Sequence, residues 1–230
     1  MNTLKATCRE IFSRPSTGIL LAFIAVALIA GPIMVAALLG PNGTNTIDPA
    51  MLLIPANFML PVALAAGAFP SGGAHSRGTI GYAYLASNHR GKELACRVGV
   101  ATLACTLTAF AASGIGIGGS HMFIDGIAAM GAESTSMVLA QAKLWIVYPL
   151  LAALSAVALG SGTASFFVWI VESLIVETAL GAVNQPWANA IHNILPGGAA
   201  NDTAGTITLV IWVAALAAVA YATANRRAVK

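Results

Sequence analysis

Charge is scarce in this chain. Only 8% of its 230 residues are Asp, Glu, Lys or Arg, whereas 58% are hydrophobic, and the mean hydropathy is +0.83. A soluble domain of this size cannot hide so much apolar surface, since about a quarter of the residues in an average soluble chain are charged. The composition therefore predicts an integral membrane protein. A net charge of +3, carried by residues that flank apolar runs, gives no indication of nucleic-acid binding.

Cysteine and metal-ligating residues are also few. The three cysteines are expected to be reduced thiols that need no disulfide. The four histidines fall in separate connections without ligand spacing, so we expect no metal site. Ser165 lacks the Gly-x-Ser-x-Gly turn of a hydrolase nucleophile. The residues in question are Cys8, Cys96 and Cys105, and His75, His89, His121 and His192.

Six apolar segments are present instead. A bilayer core about 30 Å thick needs about 20 helical residues, and the six segments meet or approach that length. They are 18–39, 51–69, 98–117, 144–159, 165–183 and 204–223. Pro55 and Pro61 predict a kink in the second segment. We expect an all-α polytopic protein with six transmembrane helices that forms one transmembrane domain over 1–230.

The basic residues predict its direction. Ten of the eleven Lys and Arg residues precede the first span, follow the last or lie between the second and third. The positive-inside rule assigns that side, with both termini, to the cytoplasm. Lys143 is the exception, at the outer edge of the fourth span, where its long side chain can reach the interface.

The first 16 residues have the pattern of a short helix. Apolar side chains recur at helical spacing, offset from Lys5 and Arg9, and they are Leu4, Cys8, Ile11 and Phe12. This pattern predicts a helix that lies in the membrane interface, with a disordered basic tail as the alternative.

The connection 71–97 contains the one strongly polar island of the chain, residues 76–97. Its residues 79–87 are predicted to form a helix with an aromatic and apolar surface, which includes Tyr84 and Leu85. Such a helix beside cations suits a groove on a soluble partner. A loop that lies on anionic lipid headgroups explains the basic residues equally well.

The run "RGTIGYAYLASNHRGKELACRVGV" resembles the signature loop in the permease subunits of type-2 ABC exporters. The residues that match in order are Gly78, Thr79, Leu85, Arg90 and Arg97. Two further runs, "VWIVESLI" and "NILPGGAAND", resemble the family's tryptophan-acid motif and its Leu-Pro segment before the last span. The C-terminal "NRRAVK" fits its basic tail. One departure is the Ala-His-Ser at 74–76, where such proteins often carry an acid.

The resemblance implies a subunit that exports a peptide, drug or lipid-like substrate across the cytoplasmic membrane. ATP-binding subunits would engage the loop, with Thr79, Ile80, Tyr84, Leu85, Asn88 and Arg90 as coupling residues. The chain has no Walker A sequence, because its only Gly-Lys pair is followed by Glu93 and lacks the upstream glycine. We therefore expect no enzyme activity and no cofactor on this chain, with ATP and Mg bound by the partner subunit. Six spans are half of the family's usual complement, which implies a second copy or a homologous permease.

Two carboxyl groups, Glu172 and Glu177, lie deep in the fifth apolar segment. Five residues place them about 140° apart on an α-helix, so we expect no paired site. Together with Trp169, they are candidates for a translocation path or gate, and the alternative for Glu172 is a protonated or hydrogen-bonded acid that ties helices together. A secondary transporter or channel that uses Glu172 as a proton or ion site is the main functional alternative. A membrane anchor or immunity-type sensor is a third.

The connection 184–202 is predicted to hold an amphipathic helix at the outer interface. Trp187, Ile191 and Leu195 recur at a spacing of four, and Pro196-Gly197 is expected to end the helix. It would cover an exit route or lie on lipid. Small residues at 160–164 predict a tight turn between the fourth and fifth spans.

Overall fold

The computed structural model describes residues 3–39, 46–76, 90–124, 126–128, 131–183, 185–201 and 204–226. Almost all of them are helical, which confirms the all-α prediction, and the strands among them are two short segments that pair in parallel, β1 (Thr46–Ile47) and β2 (Gly126–Ile127). The helices are α1 (Thr3–Phe12), α2 (Pro15–Leu39), α3 (Pro49–Leu52), α4 (Ile54–Phe58), α5 (Leu60–Ser76), α6 (Arg90–Ser120), α7 (Ala132–Leu159), α8 (Gly162–Val171), α9 (Glu177–Ala182), α10 (Pro186–His192), α11 (Pro196–Ala200) and α12 (Gly205–Arg226). A π-helical turn, Glu172–Val176, joins α8 to α9.

Five helical segments in the described residues are long and apolar enough to cross a membrane. They are α2, α6, α7, the continuous α8–α9 segment and α12. The pair formed by α3–α4 and α5 is bent by 48° and provides a further candidate if it counts as one span. This bend is the kink that Pro55 and Pro61 predict. Helices α6 and α7 begin at Arg90 and Ala132, before the predicted apolar segments 98–117 and 144–159. A helix can continue through polar residues whose side chains find hydrogen-bond partners or solvent.

Helix α7 lies at the centre of the bundle and packs against α5, α6, α8 and α12. Its small residues Ala152, Ala153 and Ala156 are fully buried, which lets neighbouring helices approach closely. The contact with α5 requires Gly67, since a Cβ atom there would lie 2.2 Å from the carbonyl oxygen of Pro149. The centre of the bundle is therefore held in a fixed packing.

The turn between α7 and α8 is as tight as the small residues predict. Gly160 has φ 72°, in the left-handed region that favours glycine. The Ser161 hydroxyl then accepts a hydrogen bond from the backbone N–H of Ala164 and caps α8. A short turn thus reverses the chain between two apolar helices.

The bundle has two distinct ends. At one end, which we call the basic end, Arg90 at the start of α6 donates to the carbonyl of Asn225 near the end of α12, at 3.2 Å. The described basic residues of this end are Lys5, Arg9, Arg14, Arg90, Lys92, Arg97 and Arg226. The opposite end, the hairpin end, carries α10 and α11, and its one described lysine or arginine is Lys143.

The predictions for two short segments, the N-terminal helix and the connection 184–202, had different outcomes. The predicted N-terminal helix is present as α1, so the disordered tail is excluded for Thr3–Phe12. The prediction for 184–202 was partly wrong, because its helix α10 ends at His192 and Pro196 begins a second helix, α11. Proline is favoured at the first position of a helix, where its missing N–H has no intrahelical partner to lose.

Candidate functional site

The predicted coupling residues fall mostly outside the described part of the chain. Thr79, Ile80, Tyr84, Leu85 and Asn88 are among the residues that the structure does not describe. Arg90 is described, and it lies at the start of α6, where its guanidinium contacts the end of α12. The connection thus leads directly into a helix that touches α1, α2 and α7.

A buried ion-pair cluster lies at the basic end. Arg97 on α6 is only 1% exposed and donates to both carboxylate oxygens of Glu10 on α1, at 2.6 and 3.2 Å. It also donates to Glu93 at 3.1 Å, one helical turn earlier. Arg14, just before α2, forms a close ion pair with the same Glu10 carboxylate. The cluster therefore connects α1 to α6 and to the start of α2.

The environment of Glu10 keeps its carboxylate charged. Partial burial raises the pKa of Glu10, but the hydrogen bond and charge of Arg97, followed by those of Arg14, outweigh burial and lower this pKa below its ordinary value. The ion pair with Arg97 therefore persists at neutral pH.

The sequence predicted Arg97 only as a match to the permease loop, and it did not predict this ion-pair cluster. The spacing of Glu93 and Arg97, four residues apart, was a usable signal for an ion pair on one helix face. Glu10 is 87 residues from Arg97, and such a contact has no local signature.

The two acids of the α8–α9 segment, Glu172 and Glu177, lie on the same side of their helix, so the prediction that they do not share one face was wrong. Between them the helix is π-helical, and the N–H of Glu177 donates to the carbonyl of Glu172 in an i→i+5 pattern. A π-helical turn has more residues than an α-helical turn, so two residues five apart lie nearly above one another. The side chains of Glu172 and Glu177 therefore come together. The carboxyl groups interact electrostatically with each other and with Tyr148.

Glu177 ties three elements together. Its Oε2 accepts a hydrogen bond from the hydroxyl of Tyr148 on α7 at 3.0 Å, and its Oε1 accepts one from the N–H of Gly197 on α11 at 2.5 Å. A Cβ at position 197 would collide with this carboxyl group, so a larger residue there would force the Glu177 side chain to move. Among the described residues, the buried carboxyl oxygens of Glu172 have no hydrogen-bond partner.

Trp169 packs one turn before this acid pair. Its indole N–H donates to the Ser155 hydroxyl at 2.7 Å, and its ring meets Tyr148 and Trp212 edge-on. Tyr148, which no sequence pattern singled out, thus contacts both Trp169 and Glu177. The three residues predicted for a path or gate, Trp169, Glu172 and Glu177, therefore lie close together, and Tyr148 on the central helix α7 interacts with all three.

A cavity of about 450 Å³ opens beside Glu177 at the hairpin end. It lies between α3–α4, the first half of α7, the π-helical turn and the α10–α11 hairpin. Its polar lining consists of Asn57, Gln141, Ser173, Glu177, Thr178, His192 and Asn201. Within the described residues, no group of three or more His, Cys, Asp or Glu side chains is placed to hold a metal ion.

No protein-family model matches this chain, and no curated protein matches it in sequence.

Proposed function

We propose that this chain is the permease subunit of an ATP-driven exporter in the cytoplasmic membrane. It crosses the membrane six times, with the α3–α5 segment as a bent second span and both termini in the cytoplasm. A separate ABC subunit binds ATP and Mg and hydrolyses ATP, and a second permease copy or a homologous permease completes the pathway. The exported substrate is a peptide, a drug or a lipid-like molecule.

The buried cluster of Glu10, Glu93 and Arg97 is the observation that carries this proposal. It connects α6, the helix that directly follows the connection 77–89, to α1. A displacement of the connection reaches α6 at Arg90 and is passed to α1 through the ion pair between Arg97, which is buried, and Glu10, which is half-buried. ATP binding on a partner at this end would favour one of two helix arrangements through different contacts in each.

The distribution of charge supports the orientation. The described basic residues other than Lys143 lie at the basic end, which also holds both described chain ends. Basic residues near spans favour the cytoplasmic side, because moving them across the membrane is costly. This distribution supports a cytoplasmic position for the ends of the connection 77–89, in the compartment that contains ATP.

Detergent extraction followed by affinity purification and mass spectrometry tests the proposal. A tag on the chain should recover an ABC ATP-binding protein in near-stoichiometric amount from the native membrane. Charge reversal at Arg90, or a bulky polar change at Tyr84 or Leu85, should reduce recovery of that protein or uncouple its ATPase activity from transport, while the spans stay folded. Recovery of the folded chain without any ATP-binding protein would contradict the proposal.

The acid pair favours one alternative, a secondary transporter or channel that uses Glu172 as a proton or ion site. Ionisable groups inside a membrane protein are costly and commonly mark ion pathways. This alternative predicts ion flux by the purified chain alone in liposomes, without ATP, and loss of that flux in Glu172→Gln. Absence of flux in the wild-type chain alone, together with a co-purifying ATPase, would leave the exporter as the function.

A further inference from the structure

Helix α1 has an apolar face that its packing against α6 leaves uncovered. Residues four apart lie on the same face of a helix, and the buried row of α1 is Thr7 and Ile11. The next row around the helix is Leu4, Cys8 and Phe12, of which Leu4 and Phe12 are exposed and Cys8 is partly exposed. An open apolar row therefore lies beside the row that packs against the protein.

Two cations form the row beyond the apolar one. Lys5 and Arg9 are both exposed, and within the described residues neither takes part in a salt bridge. Glu10, the one acid in the sequence of α1, is engaged by Arg97 and Arg14. The outward side of α1 thus carries positive charge that no acid of the same helix compensates.

Two neighbouring helices set the depth of α1. Helix α2, which is long and apolar enough to cross a membrane, begins at Pro15, only two residues after α1 ends. On the other side, Glu10 of α1 meets Arg97, which directly precedes the apolar segment 98–117 of α6. Helix α1 is therefore held where both spans change from apolar to polar sequence, at the boundary between hydrocarbon and headgroups.

The charge of this face selects its partner. An amphipathic helix at a membrane boundary buries its apolar row among acyl chains and places its cations at the headgroups. Each lysine or arginine near an anionic surface favours association about fivefold. Helix α10 at the hairpin end provides the contrast, because it exposes Trp187 and Ile191 but contains no lysine or arginine.

We propose that α1 binds anionic phospholipid in the leaflet at the basic end. Lys5 and Arg9 contact the negatively charged headgroups, and the row with Cys8 at its centre lies among the upper parts of the acyl chains. The ion pair between Glu10 and Arg97 holds the opposite side of the helix, so α1 links an anionic lipid surface to α6. This inference goes beyond the function proposed above and requires only that α2 and α6 cross the membrane.

Fluorescence quenching by brominated lipids tests the inference on the full chain in nanodiscs. Cys8 carries a bimane label in a Cys96→Ser background, and Cys105 is fully buried. Two sets of nanodiscs have the same overall fractions of phosphatidylglycerol, phosphatidylcholine and brominated lipid. The bromine is carried by phosphatidylglycerol in one set and by phosphatidylcholine in the other.

We expect brominated phosphatidylglycerol to quench the label about fivefold more effectively than brominated phosphatidylcholine. Equal quenching by the two lipids would overturn the proposal without any variant. Quenching by neither lipid would also overturn it, because the face of α1 would then be covered by something other than lipid.

Variants assign the preference to the two cations. Lys5→Gln combined with Arg9→Gln should reduce the preference for phosphatidylglycerol to about twofold or less. Lys92→Gln is the matched control, since it removes an exposed cation at the start of α6, and it should keep the wild-type preference. A wild-type preference in the folded double variant would overturn the assignment. If the double variant does not fold, the comparison of the two lipids with the wild-type sequence at Lys5 and Arg9 still decides.

A second label position and a change of salt separate α1 from the membrane as a whole. A label at Ile191→Cys on α10, in a chain without Cys8 and Cys96, should be quenched equally by both lipids, because α10 has no cation. An equal preference for phosphatidylglycerol at positions 8 and 191 would overturn the proposal. In about 1 M NaCl, where the Debye length falls to about 3 Å, the preference at position 8 should decrease, and a preference that is independent of salt would contradict the role of charge.

Discussion

Replacing Arg97 with methionine should destabilise the chain strongly. The guanidinium is 1% exposed and is shared by Glu10 and Glu93, so its loss leaves Glu93, itself 6% exposed, as a buried acid without its cation. Breaking a buried ion pair by removing one partner costs about 3–5 kcal/mol. The Glu10 side chain is 36% exposed, and water will compensate it in part, so we expect about 3 kcal/mol.

Unfolding by sodium dodecyl sulfate in mixed micelles, followed by far-UV circular dichroism, measures this loss. A double-mutant cycle with Glu10→Gln should give a coupling of about 1 kcal/mol or more between α1 and α6. Arg9→Met is the control: it removes an exposed cation from α1, the helix that carries Glu10. Its free energy of unfolding should stay within about 0.5 kcal/mol of the wild-type value. An Arg97→Met variant as stable as the Arg9→Met control would refute the argument that this cluster holds α1 in place.

Three further outcomes follow from the packing and the charges. Gly67→Ala places a Cβ atom 2.2 Å from a carbonyl oxygen of α7 and should cost about 1–3 kcal/mol in the same unfolding assay, whereas Gly18→Ala has open space and should cost little. The pKa of Glu10 is depressed below its ordinary 4.5, so attachment of α1 should be complete above pH 4.5 and lost as pH falls through the lower folded value. A spin label on α1 should report that release as increased mobility, and wild-type mobility that is independent of pH would contradict it. Tyr148→Phe removes a donor from Glu177 and should cost about 1–3 kcal/mol and speed hydrogen exchange in the α10–α11 hairpin; unchanged exchange there would show that Glu177 does not hold it.

The helical architecture was predictable because composition and hydropathy act over whole segments. Long apolar runs predicted the main helices, and Pro55 and Pro61 predicted the bend before α5, since proline removes a backbone donor wherever it stands. The polar starts of α6 and α7 were missed, because a hydropathy pattern ends at the first charged residues although the helix does not. Pro196 was read as a terminator when it begins a helix, a choice that the residue type alone leaves open.

The candidate site was predictable only in part. Glu172, Glu177 and Trp169 were found because acids and a tryptophan in an apolar run are conspicuous. Their arrangement could not be predicted, because the π-helical turn depends on backbone hydrogen bonding, and no residue pattern at 172–176 indicates it. Tyr148 and Gly197 were missed for a related reason. They are ordinary residues in sequence, and only the packing of α7 and α11 against the turn brings them to Glu177.

Photo-crosslinking in intact membranes tests the central claim most directly. A photoreactive amino acid in place of Tyr84, within the connection 77–89, would be compared with one in place of Trp187, which is 59% exposed at the hairpin end. The account predicts that position 84 crosslinks to an ABC ATP-binding protein and that position 187 does not. An ATP-binding protein captured at position 187, or none captured at position 84 in a folded and correctly inserted chain, would contradict it.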